Sequence, residues 1–125
     1  MELRAVHFLG ETLIAYFSIS PITCFPLIQE IGGVVLITAE FRNILTGLLA
    51  APGTSIQIEI TGPDGVVKTA YTAMTADTTT GRYYYAVVSS TSYSPGFYTV
   101  RCQCVDGGNT TPQVASNAFQ LTGNA

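Results

Sequence analysis

The run Ser55-Ile56-Gln57-Ile58-Glu59-Ile60 constrains the fold most. Isoleucines occupy alternate positions and polar side chains fill the gaps. A period of two puts every isoleucine on one side of an extended strand, whereas a helix would scatter them around its axis. Gly62-Pro63-Asp64-Gly65 follows at once. Proline presets φ and glycine accepts a positive φ, so the chain turns there. Val66 to Met74 then returns as the partner strand of a hairpin.

The same alternation recurs along the chain. Val35, Ile37, Ala39 and Phe41 alternate with Leu36, Thr38, Glu40 and Arg42, a half-buried strand. RYYYAVV at 82–88 is aromatic and β-branched. FYTVRCQCV at 97–105 sets Tyr98, Val100, Cys102 and Cys104 on one face, and VASNAFQL at 114–121 closes the domain. Turn residues stand between these runs at 46–53, 77–81, 94–96 and 106–109. About seven strands at this spacing, with no helix of useful length, predict an all-β antiparallel sandwich with Greek-key connections over 33–122. Ile56, Ile58 and Ile60 are expected in its core with Val35, Ile37, Val100 and Phe119. Tyr98 suits a tyrosine corner and a plain core tyrosine about equally.

The 125 residues suit one domain. Area scaling buries roughly two thirds of the unfolded surface, enough for a core without disulfides or metal. Only 10% of residues are charged against 47% hydrophobic, which excludes a disordered chain or a coiled coil. The five basic residues (Arg4, Arg42, Lys68, Arg82, Arg101) are scattered and the net charge is −3, so no basic stripe exists for nucleic acid. A mean hydropathy of +0.36 predicts a surface partly covered by other subunits or kept wet by neutral polar side chains.

Residues 1–32 differ from the rest. Thr12 to Gln29 carries no charge and is mostly apolar. A signal peptide needs a basic start and a small-x-small cleavage site, and neither is present. A membrane span needs about 20 apolar residues, and Pro21 and Pro26 interrupt this marginal stretch. The reading favoured is an extended arm outside the domain, with a short helix near 10–18 as an option, and no membrane is expected as a partner. Leu13, Ile14, Tyr16, Phe17, Ile22, Phe25, Leu27 and Ile28 are then the partner-binding residues. Deleting 1–31 is expected to leave a folded, more soluble domain. Residues 123–125 read as a tail.

Cys24, Cys102 and Cys104 are an odd set. Cys102 and Cys104, about 6.6 Å apart along a strand, have poor geometry for a bridge, so three reduced, buried thiols are expected. His7 is the only histidine and lies in the arm, which leaves no convincing nucleophile–base pair. Glu59 and Asp64 read as a solvated strand face and a turn. Calcium among Asp64, Asp77 and Asp106 would need their turns to cluster. No catalytic residue, cofactor or metal is expected.

The order Phe41, IQIEITGPDGVV at 56–67, Gly81 with RYYYAV, and SPGFYTVRC at 94–102 resembles the immunoglobulin-like or fibronectin-type-III-like modules of bacteriophage virion proteins and bacterial surface proteins. The cysteine–tryptophan–cysteine core of antibody domains is absent, since there is no Trp. The resemblance implies a non-enzymatic virion structural protein assembled in the host cytoplasm. A capsid decoration (cement) protein comes first and a neck or tail component second. Its partners would be the major capsid protein, neck or tail proteins, or copies of itself. The alternatives are a cell-surface, pilus or adhesin-type module, and a carbohydrate-binding module whose aromatic strip would come from Tyr71, Tyr83, Tyr85 or Tyr93.

Overall fold

The computed structural model describes residues 17–19, 22–43, 45–52, 56–104 and 113–123. Its described residues form ten strands and no helix. They are β1 (Phe17–Ile19), β2 (Thr23–Phe25), β3 (Ile28–Glu30), β4 (Val34–Asn43) and β5 (Gln57–Thr61). Then follow β6 (Val67–Ala73), β7 (Thr75–Ala76), β8 (Arg82–Val88), β9 (Gly96–Cys104) and β10 (Gln113–Thr122). Two sheets face each other. The first runs β1-β4-β8-β7, with β2 also paired to β4, and the second runs β3-β10-β9-β5-β6. This is the expected immunoglobulin-like sandwich.

The alternation read from the sequence decides which side chains fill the gap. Ile56, Ile58, Ile60, Val35, Ile37, Val100 and Phe119 are all buried, as expected. Glu59 and Gln57 face outward from β5, opposite Arg101 and Gln103 of β9. Fully burying one such isoleucine is worth about 1.5–3 kcal/mol. Tyr98 stacks on Phe119 at 5.3 Å between ring centroids, and its hydroxyl donates to Ser94 O at 2.7 Å. That bond, four residues upstream, makes Tyr98 a tyrosine corner.

The turns behave as their residues dictate. Asp64 Oδ1 accepts from Val66 N, and Gly65 takes a φ of 83°. Gly81 has a φ of 84°, and a Cβ there would stand 2.5 Å from Ala50 O. Only glycine fits, because Gly81 O also accepts from Phe41 N at 2.8 Å. Buried Ser89 is satisfied on both sides: its Oγ donates to Gly33 O and accepts from Gly32 N, each at 2.9 Å.

The N-terminal segment departs from the expectation. From Phe17 onward it is not an arm outside the sandwich but part of both sheets. β1 and β2 pair antiparallel with opposite halves of β4, and β3 pairs parallel with β10. The reason is a short alternation inside the apolar stretch. Ile22 and Cys24 turn inward while Thr23 and Phe25 face out, and Ile19 joins Ile22 and Cys24 in the core. Ile22 is therefore a core residue rather than a partner-binding one. Phe17 opens a strand where the short helix was an option. Deleting residues 1–31 removes three strands, so a folded remnant is no longer expected. Leu13, Ile14 and Tyr16 lie outside the described residues, as does the rest of 1–16.

Among the described residues, the first strand begins and the last strand finishes at opposite ends of the sandwich. β1 starts beside Asn43, at the far end of β4, whereas β10 finishes beside Glu30, just before the turn into β4.

Candidate docking surface

The two outer faces are built by the alternate residues that the core does not use. On the first sheet, Phe25 lies opposite Leu36, and Leu36 opposite Ala86. Val34 lies opposite Val88 one step along, and Tyr84 lies opposite Thr38 on the other side. Paired residues project to the same face, so Phe25, Val34, Leu36, Tyr84, Ala86 and Val88 make one apolar patch across β2, β4 and β8. All six are exposed, Tyr84 at 39% and Phe25 at 73%. Thr38, Asp77 and Arg82 join Leu36 and Tyr84 around a shallow groove of about 320 Å³ beside it.

Toward the other end of β4 the same face becomes charged. Glu40 accepts from Arg82 Nε at 2.7 Å and from Arg42 Nη2. Burial pushes the Glu40 carboxyl up, but hydrogen bonds and charge from the two guanidinium groups outweigh it and hold its pKa below the ordinary range. The apolar patch itself contains no charge.

The outer face of the second sheet is different. Thr99 and Arg101 of β9, Glu59 and Thr61 of β5, and Ser116 and Gln120 of β10 hold its centre. Phe97, Ile28 and Val114 are exposed around them. A concavity of about 600 Å³ lies at one end, between the β5–β6 turn and the loop before β9. Lys68, on its wall, is committed: its Nζ donates to Ser92 O at 3.1 Å and sits 4.2 Å above the Tyr93 ring.

Of the residues expected to bind a partner, Phe25, Leu27 and Ile28 do face solvent, but not together. Phe25 belongs to the first outer face and Ile28 to the second. Sequence reasoning missed Val34, Leu36, Tyr84, Ala86 and Val88. The signal was present: the outward set on β4 begins apolar at Val34 and Leu36 and turns polar only at Thr38.

The other candidates are dispersed. Asp64 sits in the β5–β6 turn and Asp77 before β8, at opposite ends of the sandwich by strand register, and Asp106 lies outside the described residues. Among the described residues no group of three metal-ligating side chains occurs. Tyr83 and Tyr85 lean against the core, Tyr71 is on edge strand β6, and Tyr93 lies under Lys68, so the four make no planar strip. Cys24, Cys102 and Cys104 are buried and form no disulfide. Desolvation pushes the Cys24 thiol up to about 11 and the Cys102 thiol up to about 12. Cys102 Sγ lies 3.8 Å from Met74 Sδ.

The strand order and the tyrosine corner define an immunoglobulin-like β-sandwich. No family model matches the chain, and no curated protein sequence matches it. Solved structures do. One is a tetra-tandem repeat in the extending region of a large adhesion protein (TM-score 0.60, 18% identity, 84% of this chain and 24% of that one). Another is a DUF4785 family protein from Legionella pneumophila subsp. pneumophila str. Philadelphia 1 (TM-score 0.52, 10% identity, 82% and 27%). A third is the alkylpurine DNA glycosylase of Pseudomonas fluorescens, bound in that structure to DNA containing an abasic site analog (TM-score 0.52, 13% identity, 86% and 30%). The chain spans 24–30% of the length of these proteins, and at such identities the likeness shows the fold alone.

Proposed function

We propose that the chain is a non-catalytic structural module, held in a protein assembly by the apolar outer face of its first sheet. The observation that carries this reading is the Phe25–Leu36–Ala86 row with Val34, Tyr84 and Val88 around it. Its exposed apolar area, roughly 500 Å², is at the upper end of what a lone soluble domain carries, and patches of that size mark contact sites. The sequence resemblance supports a virion as the setting, with the chain a capsid decoration protein or a neck or tail component.

A second reading has its own support. The likeness to an adhesion-protein tandem repeat, with the start of β1 and the end of β10 at opposite ends of the sandwich, suits a module strung in series in a cell-surface protein. The scattered tyrosines give the carbohydrate-binding alternative no comparable support.

The settings separate by fractionation. The native source is resolved on a density gradient and this chain quantified across it. Co-migration with nucleic-acid-filled particles at a fixed copy number supports the virion setting. Recovery with the cell envelope supports the surface module. A chain found free of both overturns the assembly reading.

A further inference from the structure

We propose that the occupant of the apolar face is a second copy of this chain, packed face to face about a two-fold axis near Leu36. The inference rests on the assembly reading above and names its partner. Three observations favour a second copy.

The first is area. A stable interface buries about 800 Å² per partner, of which roughly 55–65% is apolar. The six side chains supply roughly 500 Å², the apolar share that such an interface needs. The second is charge. No charged side chain lies within the patch, and the charges at its border, Glu40 with Arg42 and Arg82, are ion-paired there with one positive charge in excess. Two copies placed apolar on apolar therefore bury no unpaired charge. With a net charge of −3, the chains repel each other weakly. A partner of strongly opposite charge has nothing to recognise here. The third is shape. The patch spans three neighbouring strands, and a twisted sheet face packs well on another face of the same twist, about 10 Å away. In an isologous contact each residue meets its own neighbourhood, so Leu36 lies close to its mate.

The test is sedimentation equilibrium of the full chain at about 50 μM, within the weak-to-moderate range expected for an interface of this size. The wild type is expected to be dimeric. Leu36→Asp and Leu36→Lys are each expected to be monomeric, with the dimer dissociation constant raised roughly 30-fold or more, and with an unchanged β-type circular dichroism spectrum. Mixed in equal amounts, the two variants should dimerise again, because each puts one charge opposite the other's. Should Leu36→Asp fail to fold, Val88→Lys, at the rim of the same patch, serves in its place.

A wild type that stays monomeric overturns self-docking. So does a Leu36→Asp variant that stays dimeric. The parent reading is judged separately, by whether Leu36→Asp is still retained in the native particle or envelope fraction. Loss from that fraction by a protein whose wild type is monomeric leaves the assembly reading standing with a different occupant. Full retention overturns the face as the anchor altogether.

Discussion

The two outer faces of this sandwich rest on equally apolar inner faces and yet present different chemistry to solvent. Behind the first lie Val35, Ile37 and Val87, and behind the second Ile58, Val100 and Cys102, all buried. In front of the first lie Phe25, Val34, Leu36, Ala86 and Val88. In front of the second, Glu59, Thr99, Arg101 and Ser116 hold the centre, with exposed Phe97, Ile28 and Val114 around them. Folding requires only the inner set. The outward set is free to vary, so an apolar outer face over three strands is not explained by the stability of a lone domain. The contrast points to contact on one side and water on the other.

The largest effect tests whether both faces share one core and one N-terminal edge. Deletion of residues 1–31 removes Ile19, Ile22 and Cys24 from the gap, and loss of the cooperative thermal transition is expected. A remnant that still melts cooperatively would restore the view of that segment as a separate arm. Next, Ile37→Ala behind the first face and Ile58→Ala behind the second should each cost about 2–5 kcal/mol in denaturant unfolding. A cost below about 1 kcal/mol at either site would mean that its sheet contributes little to the shared core.

Smaller substitutions sharpen the contrast. The pair Phe25→Ser and Val88→Thr should change stability by no more than about 0.5 kcal/mol each, yet reduce retention on a hydrophobic-interaction column. Thr99→Ser on the second face should change neither. Glu40 gives the smallest effect. Its pKa is lowered in the folded chain, so its contribution is present above the unfolded carboxylate pKa and is lost as pH falls through the folded value. Wild type and Glu40→Gln should therefore differ by about 1 kcal/mol or less near neutral pH and converge once the medium is acid enough to protonate Glu40 in the folded chain. A gap that persists in acid would assign the difference to packing instead.

The thiols offer a control independent of either face. Burial both shields Cys24 and Cys102 and raises their pKa values, which keeps them protonated at neutral pH, so a thiol reagent should find them unreactive in the folded protein. Denaturation without reductant should expose three thiols per chain.

Much of the fold was legible because alternation is a strong local signal. Ile56-x-Ile58-x-Ile60 and Val35-x-Ile37 each name their own inner face, and the Pro63-Asp64-Gly65 turn names its own geometry. The N-terminal strands were not legible. Each is three residues long, too short for a period to stand out, and the apolar run around them hides which side chain points where. The candidate surface was half legible. Phe25 was chosen for its apolar character, but its neighbours Leu36 and Ala86 come from β4 and β8, and only strand register brings them beside it. No pattern within one segment carries that information.

The short parallel pairing of β3 with β10 has a mechanical consequence. A pull applied at Phe17 of β1 and Thr122 of β10 acts at opposite ends of the sandwich. Strands β3 and β10 run the same way, so such a load slides them past each other instead of peeling them apart. The pairs Ile28–Gln120, Gln29–Leu121 and Glu30–Thr122, with the Gln120 N–Leu27 O and Ile31 N–Thr122 O bonds, then carry the force together. A hairpin loaded at its open end yields one bond at a time, whereas this patch must give way all at once. Stretched between two anchors, the domain should therefore hold its length up to a sharp yield force. A gradual, stepwise extension in a single-molecule pulling trace would show that the load takes another path.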